Sequence, residues 1–154
     1  MSKHGSKIIF DHFNEEEGVT IVSRSSPQGV FTSLAFCAPE DRDVMNKWDG
    51  YRIADYKNSI LIHKTKANNF LQRAKGIKEA IDNVSYFVNE DTKDRLMRQY
   101  HAMMRRYKDE KIIYSGMVDM YNEMCDRRLK ARRDCRKIYD ALTKNEVDSP
   151  QNKN

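Results

Sequence analysis

Apolar residues follow two different periods along this chain. In the first third they come in short runs rich in β-branched residues, Lys7–His12 (KIIFDH), Val19–Arg24 (VTIVSR) and Val30–Ala38 (VFTSLAFCA). Between the runs lie Asn14-Glu15-Glu16-Glu17-Gly18 and Ser25-Ser26-Pro27-Gln28-Gly29, both turn-forming in composition. Strands this close in sequence predict an antiparallel meander, because a parallel pair needs a long crossover between its members. Pro39 closes the extended part.

From Asn68 onward the period lengthens. Phe70, Ala74, Ile77, Ile81, Val84 and Val88 recur at steps of three and four, the stripe of an amphipathic helix. Asn89 or Asp91 then caps a second helix, with the stripe Leu96, Tyr100, Met103, Met104 and Tyr107. Near Asp109-Glu110 the pattern blurs, and the chain either turns or continues. It resumes at Met117, Tyr121, Met124 and Cys125, and ends with Cys135, Ile138, Tyr139 and Leu142. Between Pro39 and Asn68 the signal is weaker. Asp41 is a plausible cap for a helix carrying Val44, Trp48, Arg52 and Asp55, which Gly50 interrupts. Ser59–His63 (SILIH) is read as a fourth strand, with a helix end as the alternative.

Strands followed by helices predict an α+β domain: an N-terminal antiparallel β-meander, then two or three long C-terminal helices. It spans residues 1–142, and the polar, aperiodic segment 143–154 is expected to be a disordered tail. Such long helices on so small a sheet leave apolar surface uncovered, so a homo-oligomer with helices packed across the interface is expected.

Composition narrows the class. The chain has 154 residues, 39% hydrophobic and 33% charged, with no run of about 18 apolar residues that could cross a bilayer. Its start, MSKHGSKIIFDHF, lacks the apolar run of a signal peptide, and three scattered cysteines fit a reducing compartment. A cytoplasmic protein with no membrane partner is the expectation. Net charge is +5 and unevenly placed: residues 1–66 carry 9 basic and 9 acidic residues, and the remainder carries 19 against 14. The helical part alone is thus basic, which suits phosphates, nucleic acid or an acidic partner.

Most catalytic constellations are missing. The four histidines are scattered and no cysteine pair has metal-ligand spacing, so neither a metal nor another cofactor is expected. Cys125 and Cys135 are read as core filler, and the cluster Met97, Met103, Met104, Met117, Met120 and Met124 as adaptable core or interface filler, with a Met-rich binding groove as the alternative. No phosphate-binding glycine loop, nucleophile elbow or zinc-protease motif occurs. His63-Lys64-Thr65 on a strand would point a histidine and a hydroxyl the same way, as in phosphoesterases with two such motifs. There is no second copy, and a non-enzymatic protein is expected.

Arg127–Lys137 (RRLKARRDCRK) holds seven basic residues and one acidic one. At 100° per residue Arg128 projects into the middle of the apolar face, and Arg132 and Arg136 follow at i+4 and i+8. Either the helix leaves its partner near residue 126 and the arginines stand in water, or the row lines a pocket or subunit interface. In a pocket the natural guest is phosphate, which matches the forked guanidinium, with tyrosines available to stack on a base. Binding of nucleic acid along the basic helix is a third use of the same residues, although no recognised reader motif accompanies it.

Phe36-Cys37-Ala38-Pro39-Glu40-Asp41, followed by Gly50-Tyr51-Arg52-Ile53-Ala54, resembles a pattern in the phage Thoeris anti-defence proteins that act as nucleotide sponges. In that pattern Lys stands where this chain has Glu40, the spacer before the glycine is shorter, and the arginine follows the glycine directly. The resemblance implies an N-terminal antiparallel sheet, C-terminal helices, an oligomer, and sequestration without cleavage of a cyclic nucleotide signal of the cyclic ADP-ribose type. It further implies ligand contacts from Arg42, Arg52 and Lys57 after Pro39 and from Arg128 and Arg132 in the last helix, with Phe36 walling the base. The alternative is a small basic nucleic-acid-binding or host-interaction protein that uses its arginine-rich helix.

Overall fold

A computed structural model describes residues 5–39, 46–84, 86 and 88–147. Three strands, β1 (Lys7–Asn14), β2 (Val19–Ser26) and β3 (Gly29–Phe36), form one antiparallel sheet in the order β1-β2-β3. Two helices follow, α1 (Lys47–Val84) and α2 (Glu90–Val147). The α+β order read from the sequence is therefore the architecture. The turns explain the tight meander. Asn14 Oδ1 accepts the Glu17 N–H at 3.1 Å, and Gly18 takes the positive φ of 65° that releases the chain into β2. At the second turn Ser26 Oγ accepts the Gln28 N–H at 3.2 Å and donates to the Gly29 carbonyl at 3.1 Å.

Alternation along the strands sends one face of the sheet to α1. Val22 and Ala35 meet Ala54 there, and Ile8, Tyr51 and Ile53 pack around them. The register of β1 slips between Ile8 and Phe10, so Ile9 bulges out of the ladder and is exposed. Two polar ties join sheet to helix. Arg24 holds Asp55 through two parallel bonds, Nε to Oδ1 at 2.9 Å and Nη2 to Oδ2 at 2.8 Å. The fully buried Asn58 donates from Nδ2 to the Val22 carbonyl at 2.8 Å. Gly50 lets the helix approach, since a Cβ there would lie 3.1 Å from the Thr20 Cβ and closer still to its Oγ1.

Several sequence expectations are corrected in the helical part. Ser59–His63 is not a fourth strand but the middle of α1, with Ile62 buried. The helix expected from Asn68 is continuous with this one and begins at Lys47, capped by Asn46, whose Oδ1 accepts the Trp48 N–H at 2.9 Å. The Asp41 cap and Val44 lie outside the described residues. Asn89 caps α2 as read, accepting the Thr92 N–H at 2.9 Å. α2 then runs without a break through Asp109-Glu110 and on to Val147, so residues 143–147 of the expected tail are helical, and 148–154 lie outside the described residues. Cys125 is only half-buried and Cys135 is exposed, which corrects their reading as core filler; Met120 is likewise exposed.

α1 and α2 form a long antiparallel hairpin. At 1.5 Å per residue they measure about 57 and about 87 Å. Each contributes a seam at alternating steps of three and four. In α1 it passes through Tyr56, Ile60, His63, Ala67, Phe70, Ala74, Ile77 and Ile81, all buried or half-buried. In α2 it passes from Leu96 through Glu110 to Arg128. A spacing averaging 3.5 is that of a two-stranded coiled coil, in which small residues such as Ala67 and Ala74 let the backbones come close. No helix among the described residues is long and apolar enough to cross a membrane.

Candidate functional site

The heptad rise of the hairpin carries the basic end of α2 to the sheet. On α1, Asp49, Ile53 and Lys57 lie four apart and share a face; on α2, Tyr121, Cys125, Arg128 and Arg132 do the same at steps of four, three and four. The two faces meet beside the end of β3. The result is a groove of about 370 Å³ lined by Ala35, Phe36, Ile53, Lys57, Tyr121, Cys125, Arg128, Leu129 and Arg132.

Each lining group has a distinct state. Phe36 is 69% exposed, an aromatic ring left open at the mouth rather than a core residue of the third strand. Lys57 Nζ donates to the Leu34 carbonyl at 2.8 Å, which covers the free edge of β3 and holds the ammonium at the groove. Arg128 forms an ion pair with Asp49, and both side chains are mostly covered. Arg132 is half-buried and also reaches a small cleft shared with Phe13, Thr20, Cys37 and Asn46. Tyr121 stacks on Tyr56 with ring centroids 6.3 Å apart and planes 9° from parallel. Burial, then the hydrogen bond to Cys125, pushes the Tyr121 phenol up to about 12, so it stays a neutral hydrogen-bonding group at ordinary pH.

Of the six residues singled out from the sequence, four converge here: Phe36, Lys57, Arg128 and Arg132. Arg52 does not. It sits on α1 five residues before Lys57, about 140° around the helix, and is exposed away from the groove. Arg42 lies outside the described residues. Sequence reasoning missed Tyr121, Ile53 and Leu129 as groove walls and Asp49 as the partner of Arg128. The i, i+4 spacing of Asp49, Ile53 and Lys57 was the available signal.

His63-Lys64-Thr65 is corrected as well. On a helix, residues two apart diverge by about 200°, so His63 and Thr65 cannot share a target. His63 instead shares a face with Lys66, and both meet Glu110 of α2, which is 7% exposed. His63 Nδ1 lies 2.8 Å from Glu110 Oε2, and Lys66 Nζ lies 2.7 Å from Oε1. Burial pushes the Glu110 carboxyl up, but the hydrogen bonds from Lys66 and His63, with their charges, outweigh it and hold the group below its ordinary value. The cluster is an ionic tie across the hairpin seam.

A second cleft, of about 200 Å³, lies between β1 and the start of α1, against Asp11, Phe13, Thr20, Lys47, Trp48 and Tyr51. No group of three or more His, Cys, Asp or Glu among the described residues is arranged to hold a metal ion. Comparison with known proteins finds no matching family model, no matching curated protein and no matching solved structure.

Proposed function

We propose that this chain binds and sequesters a cyclic nucleotide, of the cyclic ADP-ribose type, in the groove between β3, α1 and α2, as a phage anti-defence sponge does. The single observation that carries the reading is the groove itself. Three separate elements bring two guanidinium groups, an ammonium and an open aromatic ring to one cleft, and no single element could present them together. Arg132 and Lys57 engage the phosphates, Arg128 stays braced by Asp49, and Phe36 stacks on a base. Capture requires no acid, base or nucleophile. It does require affinity sufficient to outcompete a receptor, on the order of −12 kcal/mol for a nanomolar complex. In this reading the protein works in the cytoplasm as a homo-oligomer.

The test is uptake and release. Protein incubated with cyclic ADP-ribose isomers or cyclic oligonucleotides is filtered, heat-denatured and chromatographed. Intact nucleotide that leaves solution and returns on heating supports sequestration; a chemically altered product or no uptake refutes it. Arg132→Ala removes a charge-assisted contact worth about 1.5–3 kcal/mol and weakens binding by about 10- to 100-fold. A second reading draws on the outward Arg127, Lys130, Arg133 and Lys137 of α2, all exposed. If these contact nucleic acid, a gel shift appears whose affinity falls steeply with salt.

A further inference from the structure

The heptad that builds the hairpin does not stop where the hairpin stops. Along α2 the seam reaches Met124 and Arg128, both half-buried, then continues at the same steps through Ala131, Cys135, Ile138 and Leu142, all exposed. Ile138 is 61% exposed and Leu142 62%. The change has a simple cause. α1 begins at Lys47, and the Asp49–Arg128 ion pair marks the level at which its backbone ends. Among the described residues, α2 from Lys130 to Val147, about 27 Å at 1.5 Å per residue, extends past the start of α1; Arg132 still reaches back to the groove, but the seam positions are uncovered. This extension displays an apolar stripe that nothing among the described residues covers.

We propose that this overhang is the interface with a second copy of the chain: two α2 helices pair antiparallel about a two-fold axis and extend the coiled coil of the hairpin. The seam carries this pairing whether or not a nucleotide binds in the groove. The exposed stripe is continuous with an interface already formed within the chain, and it has the same spacing, so it presents a coiled-coil surface in search of one more strand. The stripe is also complementary to itself in one orientation. Antiparallel pairing sets Ala131 opposite the second copy's Leu142 and Cys135 opposite the second copy's Ile138, so every layer joins a smaller residue to a larger one. Parallel pairing would place Ala131 on Ala131 and Cys135 on Cys135, two underfilled layers in succession.

Sedimentation velocity on the full chain, without added nucleotide, tests the interface. The wild type is expected to sediment as a dimer, and Ile138→Asp and Leu142→Asp as monomers over the same concentration range. Ile112→Asp, at an exposed position off the seam, should remain dimeric. A monomeric wild type, or a dimer that survives both seam substitutions, overturns the proposal. Disulfide trapping in chains carrying Cys135→Ser tests the orientation independently. Ala131→Cys mixed with Leu142→Cys should give a cross-linked pair, whereas efficient self-linking of Ala131→Cys would mean a parallel interface and overturn the antiparallel one. Loss of dimerisation with nucleotide uptake intact, or the reverse, keeps the two readings distinguishable.

Discussion

Replacing Glu110 with glutamine asks how much the hairpin owes to one buried carboxylate. Glu110 occupies a seam position facing His63 and Lys66, and its side chain is 10% exposed. Breaking a buried ion pair costs about 3–5 kcal/mol when both partners are left dry. Here the His63 and Lys66 side chains are 32% and 40% exposed, so both can recover some hydration. The expected loss is smaller, about 1–3 kcal/mol. For a protein of this size each kcal/mol moves the melting temperature by about 2–4 °C. The pH dependence gives a sharper reading. The native Glu110 pKa lies below its ordinary value of 4.5, so the stabilisation is complete above that value and fades as pH falls through the lowered native one. Urea unfolding of wild type and Glu110→Gln should show a gap at pH 7 that closes in acid. Equal stabilities at pH 7, or a gap that persists below the lowered Glu110 value, would overturn this account.

Other substitutions probe the sheet–helix contact. Gly50→Ala would gain about 1 kcal/mol from helix propensity alone, but overpacking against the buried Thr20 costs about 1–3 kcal/mol. Thermal unfolding should show Gly50→Ala melting below wild type while Gly76→Ala, with open space around it, melts above. Asp55→Ala leaves the half-buried Arg24 guanidinium with its bonds to Ser6 alone and should cost about 1–3 kcal/mol by chemical denaturation; Arg24→Lys cannot reproduce the doubled bond to Asp55. Asn58→Ala deprives the buried Val22 carbonyl of a donor, with an expected loss of about 1–3 kcal/mol in the same assay.

Much of this fold was legible because local and global signals agree. The three strands carry β-branched runs between turn residues, and the seams of both helices repeat at three and four. The misreadings have identifiable causes. SILIH has the composition of a short strand, and only its place inside a long heptad array makes it helical. Gly50 reads as a helix breaker when taken alone, yet it is where α1 presses against Thr20. The blur at Asp109-Glu110 arises because a charged residue occupies a seam position, which a search for apolar periodicity registers as a gap. The resemblance grouped Phe36, Lys57, Arg128 and Arg132, which the fold brings together, but it grouped Arg52 with them. Arg52 and Lys57 looked equivalent in composition, and only the 140° between them on the helix separates them.

The ionic tie at the seam and the basic groove are two consequences of one register. A coiled-coil hairpin of mostly apolar seam residues can slip by a heptad at modest cost, because Met and Tyr positions accept one another. Such a slip would bring Met103 or Met117 opposite His63 and leave the histidine, Lys66 and Glu110 without their partners. It would also move α2 along α1 by about 10 Å, seven residues at 1.5 Å each. Arg128 would then lose Asp49, and Arg132 would leave Phe36 and Lys57. The charged group in the middle of the hairpin therefore favours the register that places the arginines at its far end, together with the Asp49–Arg128 pair and the Tyr56–Tyr121 stack. For this reason Glu110→Leu paired with His63→Leu is the instructive variant: replacing a buried ionic contact with apolar residues is often neutral or stabilising. If the register depends on the polar contact and the groove takes up nucleotide as proposed above, that double variant keeps its melting temperature while uptake falls, whereas unchanged uptake would mean that the sheet contacts alone hold the groove together.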